Sequence, residues 1–239
     1  MSTFRIGIAG GMGPMAGVRL QQLIIETTPA RRDQDHFEVL CFTNPQVPDR
    51  TASLAADGGE GFVSEIRRTM ETLVAAGASI IAVPCHTAHA RFDALAADAT
   101  VPIIDLATLT VDWVSCQHGR DVRVGLLATD GTIRAEVYPR RAPTMTWLLP
   151  TVGEQRVIAS VIQRTKAGEQ VSPHTFTPIV NRLAGDGAAV VILACTELSL
   201  YAGTLRKQRC RVVDPLQLLA DELVTRGMAA RGGHRTAVR

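Results

Sequence analysis

Lysine is almost missing from this chain: of 25 basic residues, only Lys166 and Lys207 are lysines. No Gly-Lys-Ser/Thr sequence occurs, which excludes a Walker-type phosphate loop. A Schiff-base enzyme would have two candidate amines, and neither follows a recognisable cofactor motif. Aromatic residues make up 4%, too few for base-stacking platforms. A surplus of one charge is also lacking, because 23 acidic residues leave a net charge of +2. That field is too weak to hold nucleic acid or a membrane surface. No apolar run approaches the ~18 residues of a membrane span. The five cysteines (Cys41, Cys85, Cys116, Cys195 and Cys210) include no CxxC pair, so neither a disulfide framework nor a zinc ribbon is expected. The opening MSTFRIGIAGG lacks the charged and apolar regions of a secretory signal. The cytoplasm is the expected location.

What is present is an ordinary globular composition, 46% hydrophobic and 20% charged over 239 residues. Short β-branched runs alternate with longer amphipathic stretches, the pattern of βα units around parallel sheets. Strands are predicted near 4–9, 37–42, 79–84, 101–104, 122–127, 145–149, 188–193 and 211–213. Helices are predicted over 14–27, 59–76, 87–97, 106–117, 153–166, 174–185 and 215–229. Gly77 and Gly185 stand where helix C-caps belong. The stretch from Arg231 has no apolar period and is predicted to fray.

The chain echoes itself. Arg5-Ile6-Gly7-Ile8-Ala9-Gly10 is matched by Arg123-Val124-Gly125-Leu126-Leu127-Ala128, 118 residues on. Ile80-Ile81-Ala82-Val83-Pro84-Cys85-His86-Thr87 is matched by Val190-Val191-Ile192-Leu193-Ala194-Cys195-Thr196-Glu197, with the cysteines 110 apart. Two like halves explain this order. The expected architecture is α/β: two pseudo-symmetric parallel-sheet domains, 1–117 and 118–214, with the active site in the cleft between them. The last helix, 215–230, is expected to return to the first domain, leaving 231–239 as a tail.

Cys85 and Cys195 each end an apolar strand and precede a predicted helix start. Ligands of open α/β sheets bind beyond the carboxyl ends of the strands. Helix N-terminal amides there would stabilise a thiolate, and Thr87 and Thr196 could hold an anion. Two equivalent thiols facing each other suit one kind of reaction, in which a proton leaves one face of a carbon and another arrives at the opposite face. Reacting distances of about 3–3.5 Å on each side would set the sulfurs roughly 7 Å apart. The substrate of such a pair is a small acid with a C–H beside its carboxylate. Cys41, Cys116 and Cys210 are read as small buried hydrophobes, and His89 as a core or capping residue. Cys85, His86 and His89 lack a third well-spaced partner, so no metal site is expected.

Taken together, Gly10-Gly11-Met12-Gly13-Pro14-Met15-Ala16, Pro84-Cys85-His86-Thr87-Ala88-His89, Gly125-Leu126-Leu127-Ala128-Thr129-Asp130-Gly131-Thr132 with Tyr138, and Cys195-Thr196-Glu197-Leu198 resemble the aspartate/glutamate racemase family, and its aspartate branch more than its glutamate branch. The resemblance spans nearly the whole chain. It implies racemisation of an amino acid without a cofactor, by Cys85 and Cys195 as the acid/base pair, in a homodimer. It places Met12, Thr87, Thr129 and Thr196 at the α-carboxylate or amine. Arg50 and Lys166 fall at the side-chain carboxylate, with Arg50 carried on a Pro-rich loop that reads as a lid. Glu197 either orients the second thiol or caps its helix. His86 departs from the family, which has Asn after the first cysteine. An imidazole there could help ionise Cys85 or change which substrate fits. The Asp-Ser-Gly motif of glutamate racemases is absent.

Other readings stay open at this level. Gly11-Met12-Gly13-Pro14-Met15-Ala16 after a strand also fits a dinucleotide-binding turn, with Asp33 or Asp35 about 20 residues on. An NAD(P)-dependent oxidoreductase is therefore an alternative, although both aspartates precede the second strand and the paired thiols would be left without a role. Isomerisation or decarboxylation of a small diacid on the same fold is another, and a non-catalytic amino-acid-binding protein a third.

Overall fold

The computed structural model describes residues 4–205 and 211–233. Lys207, Cys210 and the tail from 234 onward lie outside the described residues. The first half runs β1 (Arg5–Gly10), α1 (Pro14–Thr27), β2 (Glu38–Thr43), α2 (Arg50–Ala56), α3 (Glu60–Ala75), β3 (Ile80–Ala82), α4 (Phe92–Ala96) and α5 (Leu106–His118). The second runs β4 (Arg123–Ala128), α6 (Asp130–Arg134), β5 (Thr146–Leu148), α7 (Val152–Lys166), α8 (Thr177–Gly185), β6 (Val190–Ala194), α9 (Thr196–Ser199), α10 (Ala202–Leu205), β7 (Arg211–Val213) and α11 (Pro215–Gly233).

Two parallel sheets result, ordered β2-β1-β3 and β5-β4-β6-β7. The central strands are apolar along their length because helices cover both faces. The sequence echo is an echo in space. Gly7 pairs with Ile81 across β1 and β3, as Gly125 pairs with Val191 across β4 and β6. The amide of Ser79 donates to Arg5 O at 2.8 Å, and that of Ala189 to Arg123 O at 2.9 Å. The turns entering β3 and β6 are equivalent too: Gly77 (φ 91°) and Gly187 (φ 94°) hold the left-handed backbone that a side chain resists. The second cap glycine is thus Gly187, whereas Gly185 is still helical.

The halves are joined through their last helices. Leu216, Leu219, Ala220, Leu223 and Val224 follow helical spacing and bury the inner face of α11 against Ile6, Ile8, Leu20 and Leu23. In the same way Ala107, Val111 and Val114 of α5 bury against Val124, Leu126, Val190 and Ile192 of the second sheet. Truncating Leu219 to Ala should cost about 2–5 kcal/mol, the range for a fully buried leucine.

Several elements differ from expectation. Helix α11 continues through Gly233 because Arg231 is tied down: its guanidinium donates to Asp35 O and His36 O at 2.6 and 2.5 Å and lies 3.9 Å over the Phe37 ring. Residues 101–104 form no strand, only a bridge between Ile81 and Ile103. The helix expected over 87–97 is a 3-10 segment, Thr87–Arg91, followed by the short α4. Cys41 and Cys116 are exposed rather than buried, since β2 is an edge strand and Cys116 lies on the outer side of α5.

Candidate active site

Cys85 leaves the carboxyl end of β3 and Cys195 that of β6, the equivalent points of the two sheets. Both thiols are buried, and both line one pocket. Its wall also contains Met12, Arg50, His86, Thr87, Thr129, Lys166, Thr196 and Glu197. The structure therefore brings together the two thiols and the eight residues read from the sequence as substrate-binding. Asp49, Thr51 and Ala194 join them. The side chains leave only about 20 Å³ free between them, on the order of one water molecule. A larger cavity of about 460 Å³ lies between α3 and residues 98–103, but it holds no thiol or imidazole.

Glu197 settles the geometry of the second thiol. The Cys195 Sγ–H donates to its Oε2 at 2.9 Å, and Thr196 Oγ1 donates to the same oxygen at 3.4 Å. The Gly13 amide donates to its Oε1 at 3.4 Å, reaching across from the turn after β1. Its side chain contacts the thiol, and no side chain caps α9. The thiol itself departs from expectation. Burial, then the Glu197 charge, pushes Cys195 well above its ordinary range, against a smaller opposing pull from Lys166. Helix α9 has only four residues, Thr196–Ser199, too short a dipole to reverse this.

Thr87 and Thr129, in the wall, belong to a triangle of hydroxyls completed by the buried Thr132. Thr87 Oγ1 lies 2.9 Å from both Thr129 Oγ1 and Thr132 Oγ1, which are 3.0 Å apart. Thr129 also caps α6, accepting from the Thr132 amide at 3.2 Å. The support that Thr132 gives Thr87 and Thr129 was not read from the sequence; its place in the Thr129-Asp130-Gly131-Thr132 turn was the available signal.

His86 is held from behind, its Nδ1 2.7 Å from the Tyr138 hydroxyl. Burial, with the neighbouring His89, holds its pKa down at about 3, so the imidazole is neutral and cannot ionise Cys85 as a cation. His89 Nδ1 donates to Cys85 O at 2.8 Å, fixing the backbone beneath the first thiol. Arg141, also missed, links this segment to the second half. It donates to His89 O at 3.0 Å and to Asp105 Oδ2 at 2.8 Å.

Arg50 is not on an exposed lid. It opens α2, capped by Asp49 Oδ1 accepting from the Ala52 amide at 2.9 Å, and its guanidinium donates to Val47 O and Pro48 O at 3.2 and 3.0 Å. Lys166, at the end of α7, lines both this pocket and an adjoining one of about 90 Å³ formed with Pro14, Met15, Ala16 and Leu200. Among the described residues, no three His, Cys, Asp or Glu side chains are grouped to hold a metal ion. Asp33 and Asp35 lie in an exposed turn before β2, where Asp35 pairs with Arg32. They cannot supply the acidic residue a dinucleotide site needs at the end of that strand.

The Asp/Glu/Hydantoin racemase profile matches residues 9–223. The chain belongs to the Asp/Glu/hydantoin racemase family. Its fold superposes on that of the Picrophilus torridus aspartate racemase with a TM-score of 0.81 at 24% identity, covering 94% of each chain. An aspartate racemase homologue from Pyrococcus horikoshii OT3 gives 0.73 at 21% identity, covering 95% of this chain and 100% of that one. A glutamate racemase from Deinococcus radiodurans is 28% identical over 181 residues, 71% of this chain and 61% of that protein. The matches to the curated relatives span 62% and 61% of those proteins' own length. No helix among the described residues is long and apolar enough to cross a membrane.

Proposed function

We propose that this family member is a cofactor-independent racemase of an acidic amino acid, with aspartate as the substrate and Cys85 and Cys195 exchanging protons on opposite faces of Cα. One observation carries the reading: two buried thiols, at equivalent points of two repeated halves, line a single pocket. Cys195 begins as the thiol, hydrogen-bonded to Glu197. It is poised to deliver a proton to the face opposite the one from which Cys85, as thiolate, takes one. The reverse direction exchanges the roles. Arg50 and Lys166 suit the side-chain carboxylate of aspartate, and the Thr87–Thr129 hydroxyls face the same space. The 20 Å³ left free does not admit a dicarboxylate, so the walls must separate for substrate to enter.

Aspartate is favoured over glutamate by the Arg50 loop and by the absent Asp-Ser-Gly motif. Four described cysteines are unpaired, in keeping with a cytoplasmic location. The exposed Met15, Val18, Ile25 and Phe42, on α1 and the edge strand β2, offer an apolar face for a homodimer. Incubating L-aspartate with the protein in deuterated water tests the chemistry. D-aspartate should form with deuterium at Cα, while L-aspartate recovered early stays largely protonated. Glutamate or a hydantoin turned over in place of aspartate would correct the substrate and leave the chemistry standing; no exchange on any of them would reject the reading.

A further inference from the structure

The repeat continues past the thiols. Ile103-Ile104-Asp105 precedes α5 as Val212-Val213-Asp214 precedes α11. These are the two helices exchanged between the halves, since α5 packs on the second sheet and α11 on the first. Each aspartate caps its helix. Asp105 Oδ1 accepts from the Ala107 and Thr108 amides at 3.0 and 3.3 Å, and Asp214 Oδ1 accepts from the Leu216 amide at 3.0 Å. Each also makes a second contact that capping does not require. The Ser199 hydroxyl donates to Asp214 Oδ1 at 2.6 Å. Arg141 donates to Asp105 Oδ2 at 2.8 Å and, from the same guanidinium, to His89 O at 3.0 Å. His89 and Ser199 are equivalent residues, four positions beyond Cys85 and Cys195.

Those contacts matter because the segments after the thiols are short. Cys195 is followed by the four-residue α9, and Cys85 leads into a 3-10 segment of five residues. Helical pieces of this length do not hold their shape unaided. Ser199 closes α9, and the Leu198 amide beside it donates to Cys195 O at 2.9 Å. His89 reaches the first thiol by its side chain, Nδ1 donating to Cys85 O at 2.8 Å. Each set of contacts thus runs from a long helix, anchored on the opposite sheet, to the backbone of one thiol. We propose that Asp105 and Asp214 are paired positioning residues, each setting the reach of one thiol toward the shared carbon from a helix exchanged between the halves. Both stand outside the pocket wall. The inference rests on the two-thiol reading above and extends it to residues that touch no substrate.

Isotope effects test it one thiol at a time. Ser199→Ala removes a single oxygen and keeps the Asp214 cap of α11. Arg141→Lys keeps a cation beside Asp105 and loses the fork that also reaches His89 O. Racemisation of α-deuterated L- and D-aspartate is followed with the folded wild-type protein and each variant. One enantiomer gives its deuterium to Cys195 and the other to Cys85. A misplaced Cys195 makes its own proton transfer limiting, so in Ser199→Ala the isotope effect on kcat/KM should rise for one enantiomer and fall for the other. Arg141→Lys should give the opposite pair of changes. Turnover should drop roughly tenfold or more in each, since a displacement of about 1 Å costs on the order of 100-fold. Isotope effects that stay put, or move the same way for both enantiomers, are those of a general structural defect or of none, and overturn the inference alone. The same pair of changes from both variants overturns the pairing of one aspartate with one thiol. Ser199→Ala by itself decides the claim for Asp214. Wild-type protein that exchanges no α-hydrogen overturns the inference together with the functional reading.

Discussion

The Sγ of Cys195 donates a hydrogen bond to Oε2 of Glu197 at 2.9 Å, inside a wall where both side chains are buried. A carboxylate in that position stabilises the thiol and opposes the thiolate, adding to the larger effect of burial.

The pH dependence follows. The folded pKa of Cys195 stands above its ordinary value of 9.0. Below pH 9 the thiol is protonated in both folded and unfolded chains. Above it, the unfolded chain loses the proton and the folded one retains it, so stability falls as pH rises. Glu197→Gln removes the charge but not the burial. The thiolate absorbance of Cys195, isolated by subtracting a Cys195→Ser background, should then titrate at lower pH, and the alkaline loss of stability should shrink. An unmoved titration would show that Glu197 does not govern this thiol.

At Gly131 the second half packs tightly on the first, beside the pocket residues Thr51 and Thr87. A Cβ added there would lie 2.5 Å from Thr51 Oγ1, 2.9 Å from Thr87 Cγ2 and 3.1 Å from the Thr51 Cα. Gly131→Ala must push α6 away from Thr51 and Thr87. It should cost about 1–3 kcal/mol, seen as a lower urea midpoint at unchanged slope, and should raise KM for substrate by disturbing the hydroxyl triangle. Unaltered stability and KM would mean that this seam yields freely.

Arg50 makes loop contacts and lines the pocket, and substitution separates the two. Its guanidinium holds Val47 O and Pro48 O, and it also faces the pocket. Arg50→Ala should weaken aspartate far more than an uncharged amino acid, by roughly tenfold or more for a lost charge-assisted hydrogen bond. Parallel losses for both would assign Arg50 to the loop rather than to the substrate.

Much of this was legible in the sequence because the repeat writes the same physics twice. Apolar runs at Arg5–Gly10, Arg123–Ala128 and Val190–Ala194 are strands buried on both faces, and the periodic stretch Pro14–Thr27 is a helix at its predicted bounds. The two thiols fell in one pocket because equivalent strand ends face it. Short elements were hidden. Helix α2 follows a Pro-rich loop that reads as coil, and only the Asp49 cap ahead of Ala52 marked its start. Residues 87–97 have helix-forming composition, yet the chain tightens into a 3-10 turn where His89 reaches back to Cys85 O. Tertiary contacts set the rest. Arg141, the Thr132 hydroxyl and the placement of the His86 ring depend on partners 36 to 52 residues away, which no local pattern reveals.

The central claim is that two sulfurs work on one carbon from opposite sides, and the single variants Cys85→Ala and Cys195→Ala test it most directly. Conversion of L- to D-aspartate, followed by polarimetry on folded protein, should fall by at least about 100-fold in each variant, the usual contribution of a positioned acid or base. Either variant racemising at the wild-type rate would contradict the two-thiol mechanism.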